Sequence, residues 1–209
     1  MSEQITSQMV VWAYTQGSFP MASSRDSDGV KWYSADPRTV MPLDRFHVPR
    51  SLAKLVRRAE LQITRDQAFG QVIRQCAQPR NQESETWIND TIIDVYTDLH
   101  ASGVAHSVEA WDDQQLVGGL YGVALGGAFF GESMFSQRSN ASKICLVHLV
   151  DHLRDQCIDG RRRPVRRPDA IHQVTRAAGR RAVDQLVSAP PVHGLARHGQ
   201  RRVGHHGQR

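Results

Sequence analysis

The sequence predicts an α+β protein, and three observations carry that reading. Apolar residues recur at helical spacing through much of the chain before Val104, the period changes to two from there, and a helical run returns at Ser139. A meander of antiparallel strands followed by a helix packed on it is the arrangement those changes imply.

In QITSQMVVWAYTQ, residues 4–16, the side chains of Ile5, Met9, Val10, Trp12 and Ala13 approximate one helical face, and Gly17 supplies the stop. A run into GSFPM follows, then a polar loop ASSRDSDG, a brief strand KWYS and the extended, proline-punctuated ADPRTVMPLDRFHVPR. Helices are expected over SLAKLVRRA from Ser51 and DQAFGQVIRQCA from Asp66, with the strand LQITR between them. TWINDTIIDVYTDLHASG sets Ile88, Ile92, Val95, Tyr96 and Leu99 on one face and closes at Gly103. VAHSVEAW and QLVGGLYGV alternate about Asp112 and Asp113 as a hairpin, and GGAFFGESMF supplies a third strand. The glycines of VGGLYGVALGG mark bulges or places where a ligand approaches the backbone. SNASKICLVHLVDHLR opens on a capping Ser or Asn and offers Ile144, Leu146, Val147, Leu149, Val150 and Leu153 as a buried face.

A chain of 209 residues with 40% hydrophobic residues supports one core, or two small lobes sharing one. It lacks a signal-like start and any apolar run near the roughly 18 residues that span a membrane. It therefore reads as soluble and cytoplasmic, with no membrane partner. Cys76, Cys145 and Cys157 are widely spaced, without a C-x-x-C, and read as small hydrophobes. The net charge of +5 points toward nucleic acid, but its distribution qualifies that. Residues 1–153 hold 13 Lys+Arg against 17 Asp+Glu, whereas residues 154–209 hold 13 Arg, no Lys and 4 acidic residues.

One residue asks for a function. Glu132 stands between Gly131 and Ser133 in the apolar GGAFFGESMF. A carboxylate there is costly unless it is paired or faces a working cleft.

The segments AYTQGSFPM, WYSADPR, PLDRFHVPRSL, AFGQVIRQCA, TWIND, AHSVEAW, LVGGLYGVALGGAFFGESMFS and ASK together resemble the bacterial leucyl/phenylalanyl-tRNA–protein transferase family over about residues 9–153. The resemblance implies a small N-terminal α/β lobe, residues 1–60, and a C-terminal lobe, residues 61–153, similar to the GCN5-related N-acetyltransferase fold. It implies transfer of Leu or Phe from aminoacyl-tRNA to the N-terminal Arg or Lys of an acceptor protein, marking it for degradation. It also implies a monomer without metal or organic cofactor, because the ester is already activated and the task is alignment and oxyanion stabilisation.

Within that resemblance Glu132 orients the cationic acceptor or shares in proton handling; otherwise it is a carboxylate satisfied by backbone N–H groups or an Arg. Leu120 and Phe129 fall where the family builds its pocket for the donor side chain, or else are core. Trp32, Trp87 and Tyr96 fall near the family's site for the 3′-terminal adenosine, where stacking suits an exposed base, or else pack between lobes. Ser142 and Lys143 face phosphate or simply begin a helix. Lys31, Arg38, Arg50, Lys54, Arg57 and Arg58 are candidate phosphate contacts. His47, His100, His106 and His148 have no nucleophile in motif context and read as structural.

The resemblance stops at the end of the last helix. The family continues with an apolar strand ending in Asp-x-Gln, its proposed proton-handling pair, and then Ser-Leu-Gly-Ala; residues 154–209 contain neither and read as a disordered, Arg-rich tail. A shifted reading frame near residues 154–161 accounts for this. With one choice of synonymous codons, CGA CGC CCA GTT CGT, Arg162 to Arg166 read one base on as Asp-Ala-Gln-Phe, although codon degeneracy lets many peptides meet the same condition. With the tail as written, the sheet has an open edge and the chain is expected to self-associate and to be inactive in transfer. Two other readings are a protein that binds nucleic acid through residues 161–209 and a CoA-dependent N-acyltransferase. The second needs an Arg-x-x-Gly-x-Gly/Ala loop, which residues 137–142 do not supply.

Overall fold

The computed structural model describes residues 5–35, 38–79 and 86–158. Residues 154–158, expected to begin a disordered tail, instead continue the last helix, where Arg154 Nε donates to Leu43 O at 3.0 Å; the rest of that tail, from residue 159, lies outside the described residues. The chain forms α1 (Ser7–Thr15), β1 (Ser18–Ala22), β2 (Val30–Ser34), a 3-10 turn (Leu43–Arg45), α2 (Arg50–Arg58), β3 (Gln62–Arg65), α3 (Phe69–Cys76), α4 (Asp90–Ala101), β4 (Ala105–Asp112), β5 (Gln115–Leu125), β6 (Ala128–Ser136) and α5 (Ala141–Ile158). A mixed α and β protein with antiparallel sheets is therefore what this sequence makes.

The described residues form two sheets. β1 and β2 pair as an antiparallel ribbon, and β3-β4-β5-β6 form a four-stranded antiparallel sheet in that order. One face of the larger sheet meets α1, α3 and α4, where Val10, Tyr14, Val72, Ile92, Tyr96, Tyr121 and Phe135 share a core. The other face meets α5, with α2 and the 3-10 turn beside it, through Val108, Leu120, Phe129, Cys145 and Leu149. At about 1.5–3 kcal/mol for each large apolar side chain fully buried, these two layers supply most of the driving force.

Local chemistry sets the element ends. Asn89 caps α4 by accepting from the Ile92 N–H at 2.9 Å, and its amide donates to Ser27 O, tying the loop after β1 to the helix. Gly17, at φ +78°, ends α1 and turns the chain into β1. β1 carries Pro20 inside a strand, which a two-stranded ribbon tolerates because its outer side needs no N–H donor.

Several expectations shift. The buried face of α1 is Val10, Val11, Ala13 and Tyr14, with Met9 and Trp12 half-buried, so the face is rotated from the predicted one. α3 begins at Phe69 rather than Asp66, because Asp66 is held at φ +58°. Of the two readings of the β5 glycines, the bulges hold, since the register shifts next to Gly118 and between Tyr121 and Gly122, while the close approach there is by the protein's own atoms. A Cβ on Gly118 would lie 2.4 Å from the Ala141 Cβ, and one on Gly122 would lie 2.3 Å from Phe130 O and 2.5 Å from the Phe129 ring. Gly118 thus lets the first turn of α5 rest directly on the sheet.

Candidate active site

Glu132 owes its position to a fault in the β5–β6 ladder. Tyr121 pairs with Ser133 and Gly122 with Gly131, so Glu132 is the extra residue of a β-bulge. A bulge removes one residue from the alternation and re-aims its side chain. Here it sends a carboxylate to a site where β6, α1 and the loop after β2 converge.

The half-buried Glu132 lines an open cleft of about 460 Å³, together with Arg38, Trp87, Leu120, Phe129, Met134 and Leu149. Leu120 and Phe129, 3% and 7% exposed, belong to the core and to the cleft wall at once. Tyr14 donates its hydroxyl to Glu132 Oε1 at 2.5 Å, and the Tyr96 hydroxyl lies 2.7 Å from that of Tyr14. The Arg38 guanidinium sits over two rings, 5.1 Å from the centroid of Phe19 and 5.4 Å from that of Phe130.

Burial pushes the Glu132 carboxyl up to about 7, against the pull of the Tyr14 hydrogen bond and the Arg38 charge. Burial likewise raises the Tyr14 and Tyr96 phenols well above their ordinary value, with the Glu132 charge adding to both. Both phenols therefore stay protonated while Glu132 titrates near neutrality. A carboxyl that exchanges its proton there, beside an apolar recess, is equipped for general acid–base work.

Of the residues singled out from sequence, Glu132, Trp87, Leu120 and Phe129 meet in this cleft. Trp32, Tyr96, Ser142 and Lys143 do not line it. Trp32 packs half-buried in β2 against the helical side, while Ser142 and Lys143 lie in the first turn of α5, where the Ser142 N–H donates to Ser136 Oγ and Lys143 Nζ to Asn140 Oδ1. Tyr96 is 0% exposed, so its ring offers no face to a base in this conformation, and its hydroxyl serves Tyr14 instead. Arg38, grouped by sequence with the phosphate contacts, is half-buried at the cleft, whereas Lys31, Arg50, Lys54, Arg57 and Arg58 are exposed.

Tyr14 and Glu109 went unread in the sequence. Tyr14 carries a signal, a hydroxyl on a buried helical face that must find a partner. Glu109 is 0% exposed in β4 and accepts from the Thr64 and Ser107 hydroxyls. Elsewhere His100 stacks on Phe69 at 4.3 Å and His106 bonds Asp66 at 2.8 Å. Cys76 and Cys145 are buried, and burial pushes the Cys145 thiol up to about 12. Among the described residues no group of three or more His, Cys, Asp or Glu is placed to hold a metal ion, and no helix is long and apolar enough to cross a membrane.

Comparison with known proteins gives the family of the chain. The family model described as leucyl/phenylalanyl-tRNA protein transferase matches residues 40–160, and the model of that transferase's N-terminal domain matches residues 3–36. The chain belongs to the leucyl/phenylalanyl-tRNA–protein transferase family. It is 51% identical over 154 residues to the leucyl/phenylalanyl-tRNA–protein transferase of Salinibacter ruber, a stretch that is 74% of this chain and 66% of that one. It is 52% identical over 150 residues to that of Rhizorhabdus wittichii, 72% of this chain and 60% of that one. The matched stretch thus spans just under two thirds of the length of these relatives.

Proposed function

We propose that this chain transfers Leu or Phe from aminoacyl-tRNA to the N-terminal Arg or Lys of an acceptor protein in the cytoplasm, tagging it for degradation. The observation that carries the reading is Glu132, placed by a bulge at the wall of an apolar cleft and raised to about 7. The amine nitrogen attacks the ester carbonyl carbon, the C–N bond forms, and the C–O bond to the ribose breaks. Glu132 takes the proton that the amine sheds, and a proton returns to the ribose oxygen as it leaves. A free α-amino group titrates at about 8, so a carboxylate near 7 is a matched base for it.

Leu120 and Phe129 form the recess for the donor side chain, with Trp87 at its edge as the ring available to stack on the terminal adenosine. The exposed Lys31, Arg50, Lys54, Arg57 and Arg58 meet tRNA phosphates. The meander β4–β6 with α5 across it supports reading residues 61–153 as an acyltransferase-like lobe similar to the GCN5-related fold, acting as a monomer. An Asp-x-Gln strand in the adjacent reading frame completes the site, and the chain with its present tail is inactive or nearly so.

The test is transfer of labelled leucine from leucyl-tRNA to an Arg-headed peptide, by the chain as written and by the form with the reading frame restored after residue 158. Transfer by the restored form, lowered about 100-fold by Glu132→Gln, is the expected result. Absence of transfer from both leucyl- and phenylalanyl-tRNA by the restored form refutes the reading.

A further inference from the structure

The hydroxyl bonded to Glu132 comes from far away in the sequence. Tyr14 on α1 gives its hydroxyl to Glu132 Oε1 at 2.5 Å, and the hydroxyl of Tyr96 on α4 stands 2.7 Å behind it. A phenol has one proton to give. Tyr14 spends its proton on Glu132, so the contact between the two tyrosines carries the proton of Tyr96. The three groups form a directed chain, from Tyr96 to Tyr14 to Glu132. Both tyrosines lie in the same apolar core, at 3% and 0% exposure, where a hydroxyl without a partner costs stability. Their arrangement is fixed by packing. The Tyr14 ring meets Phe130 edge-on at 5.0 Å, and the Tyr96 ring meets Tyr121 in the same way at 5.7 Å.

From this geometry we infer that Tyr14, backed by Tyr96, is a positioning residue for Glu132: the relay pins one carboxylate oxygen, favours the ionised form, and leaves the second oxygen for the reacting amine. This deepens the transfer reading of Glu132 and rests on it for its catalytic meaning. The Tyr14 hydrogen bond falls on Oε1, so the relay holds the carboxylate from that side. The charged and titratable groups that act on Glu132 are Tyr14 from α1, Tyr96 behind it from α4, and Arg38 from the loop after β2. Arg38 acts through space from its seat over Phe19 and Phe130, whereas Tyr14 makes the hydrogen bond. Removing the Tyr14 hydroxyl takes away a donor that only the ionised carboxylate fully uses, so the carboxyl holds its proton to higher pH.

The test uses the full chain, labelled with 13C at glutamate carboxyls, with Glu132 assigned by its loss in Glu132→Gln. Tyr14→Phe keeps the ring and its contact with Phe130 and removes only the hydroxyl. Its Glu132 midpoint is expected above the wild-type value of about 7, by about one unit for a lost charged hydrogen bond. Tyr96→Phe, one bond further back, is expected to shift it the same way by less, and supplies the test should Tyr14→Phe fail to fold. A midpoint unchanged or lowered in a folded variant overturns the inference. Transfer assays separate this from the functional reading. In an active form, Tyr14→Phe moves the limb of the pH–rate profile upward with the midpoint. Should the midpoint shift while Glu132→Gln transfers at the wild-type rate, the relay stands and the catalytic reading of Glu132 fails.

Discussion

Phe130 and Phe135 stand at an odd separation on β6, yet both rings pack on the side of the sheet that faces α1, α3 and α4. In an unbroken strand an odd separation puts two side chains on opposite faces. The extra residue that reconciles them is Glu132, opposite which β5 offers no partner. The direction of the carboxylate is thus fixed by the register of a hydrophobic strand, which the core enforces on both sides of it.

The raised carboxyl of Glu132 makes stability depend on pH with a definite sign. Its folded value, about 7, lies above the ordinary 4.5, so between those values the folded chain holds a proton that the unfolded chain has released. Stability contributed by the protonated form is present at acid pH and lost as pH rises through this window, by at most about 3 kcal/mol. Urea denaturation of Glu132→Gln at the two ends of the window is expected to show a flatter dependence than wild type.

Gly118→Ala should lift α5 from the sheet. The added methyl would meet the Ala141 Cβ at 2.4 Å and the Ala141 backbone at 3.1 Å, so the helix start has to move. A loss of about 2–3 kcal/mol, read from a chemical denaturation midpoint, is expected for such overpacking. Gly103→Ala, where the added Cβ meets nothing within 4 Å but φ is +71°, isolates backbone strain from crowding and should cost about 1 kcal/mol.

Glu109 is a structural carboxylate. Removing it by Glu109→Ala leaves the hydroxyls of Thr64 and Ser107 facing a cavity in a position that is 0% exposed. The expected loss is about 3 kcal/mol, from the cavity and the stranded donors together. Glu109→Gln keeps the shape and an acceptor oxygen, and should lose about 1 kcal/mol.

Under the proposed transfer, Leu120 bears on donor choice. Leu120→Ala enlarges the recess that Leu120 and Phe129 share, so the larger donor side chain gains room. The ratio of kcat/KM for phenylalanyl- over leucyl-tRNA is expected to rise about 10-fold, the scale that a small change in an apolar pocket produces.

Much of this fold could be read from side-chain period. The hairpin about Asp113, the strand with Glu132 and the helices α2, α4 and α5 lie where the patterning puts them, because each buries one face. β1 was hidden by Pro20, which argues against a strand unless the strand lies at an edge. The site was legible as single residues and not as a constellation. GGAFFGESMF marks Glu132 as unusual, but the bulge there was not legible, because Phe129 and Phe135 keep the even spacing of an unbroken strand. Nothing in the local pattern joins Tyr14 to a residue on the last strand, since only tertiary packing brings α1, α4 and β6 together. The buried place of Tyr96 was equally invisible, since an aromatic on a helical face serves a core or a ligand with the same spacing.

The most direct test of the account is single-turnover transfer of labelled leucine from leucyl-tRNA to an Arg-headed peptide, run with the frame-restored chain and its Glu132→Gln variant on both sides of pH 7. The account predicts a rate that climbs as the Glu132 carboxyl ionises at about 7, and a variant about 100-fold slower without that climb. A variant that transfers as fast as the parent, with the same pH profile, would contradict it.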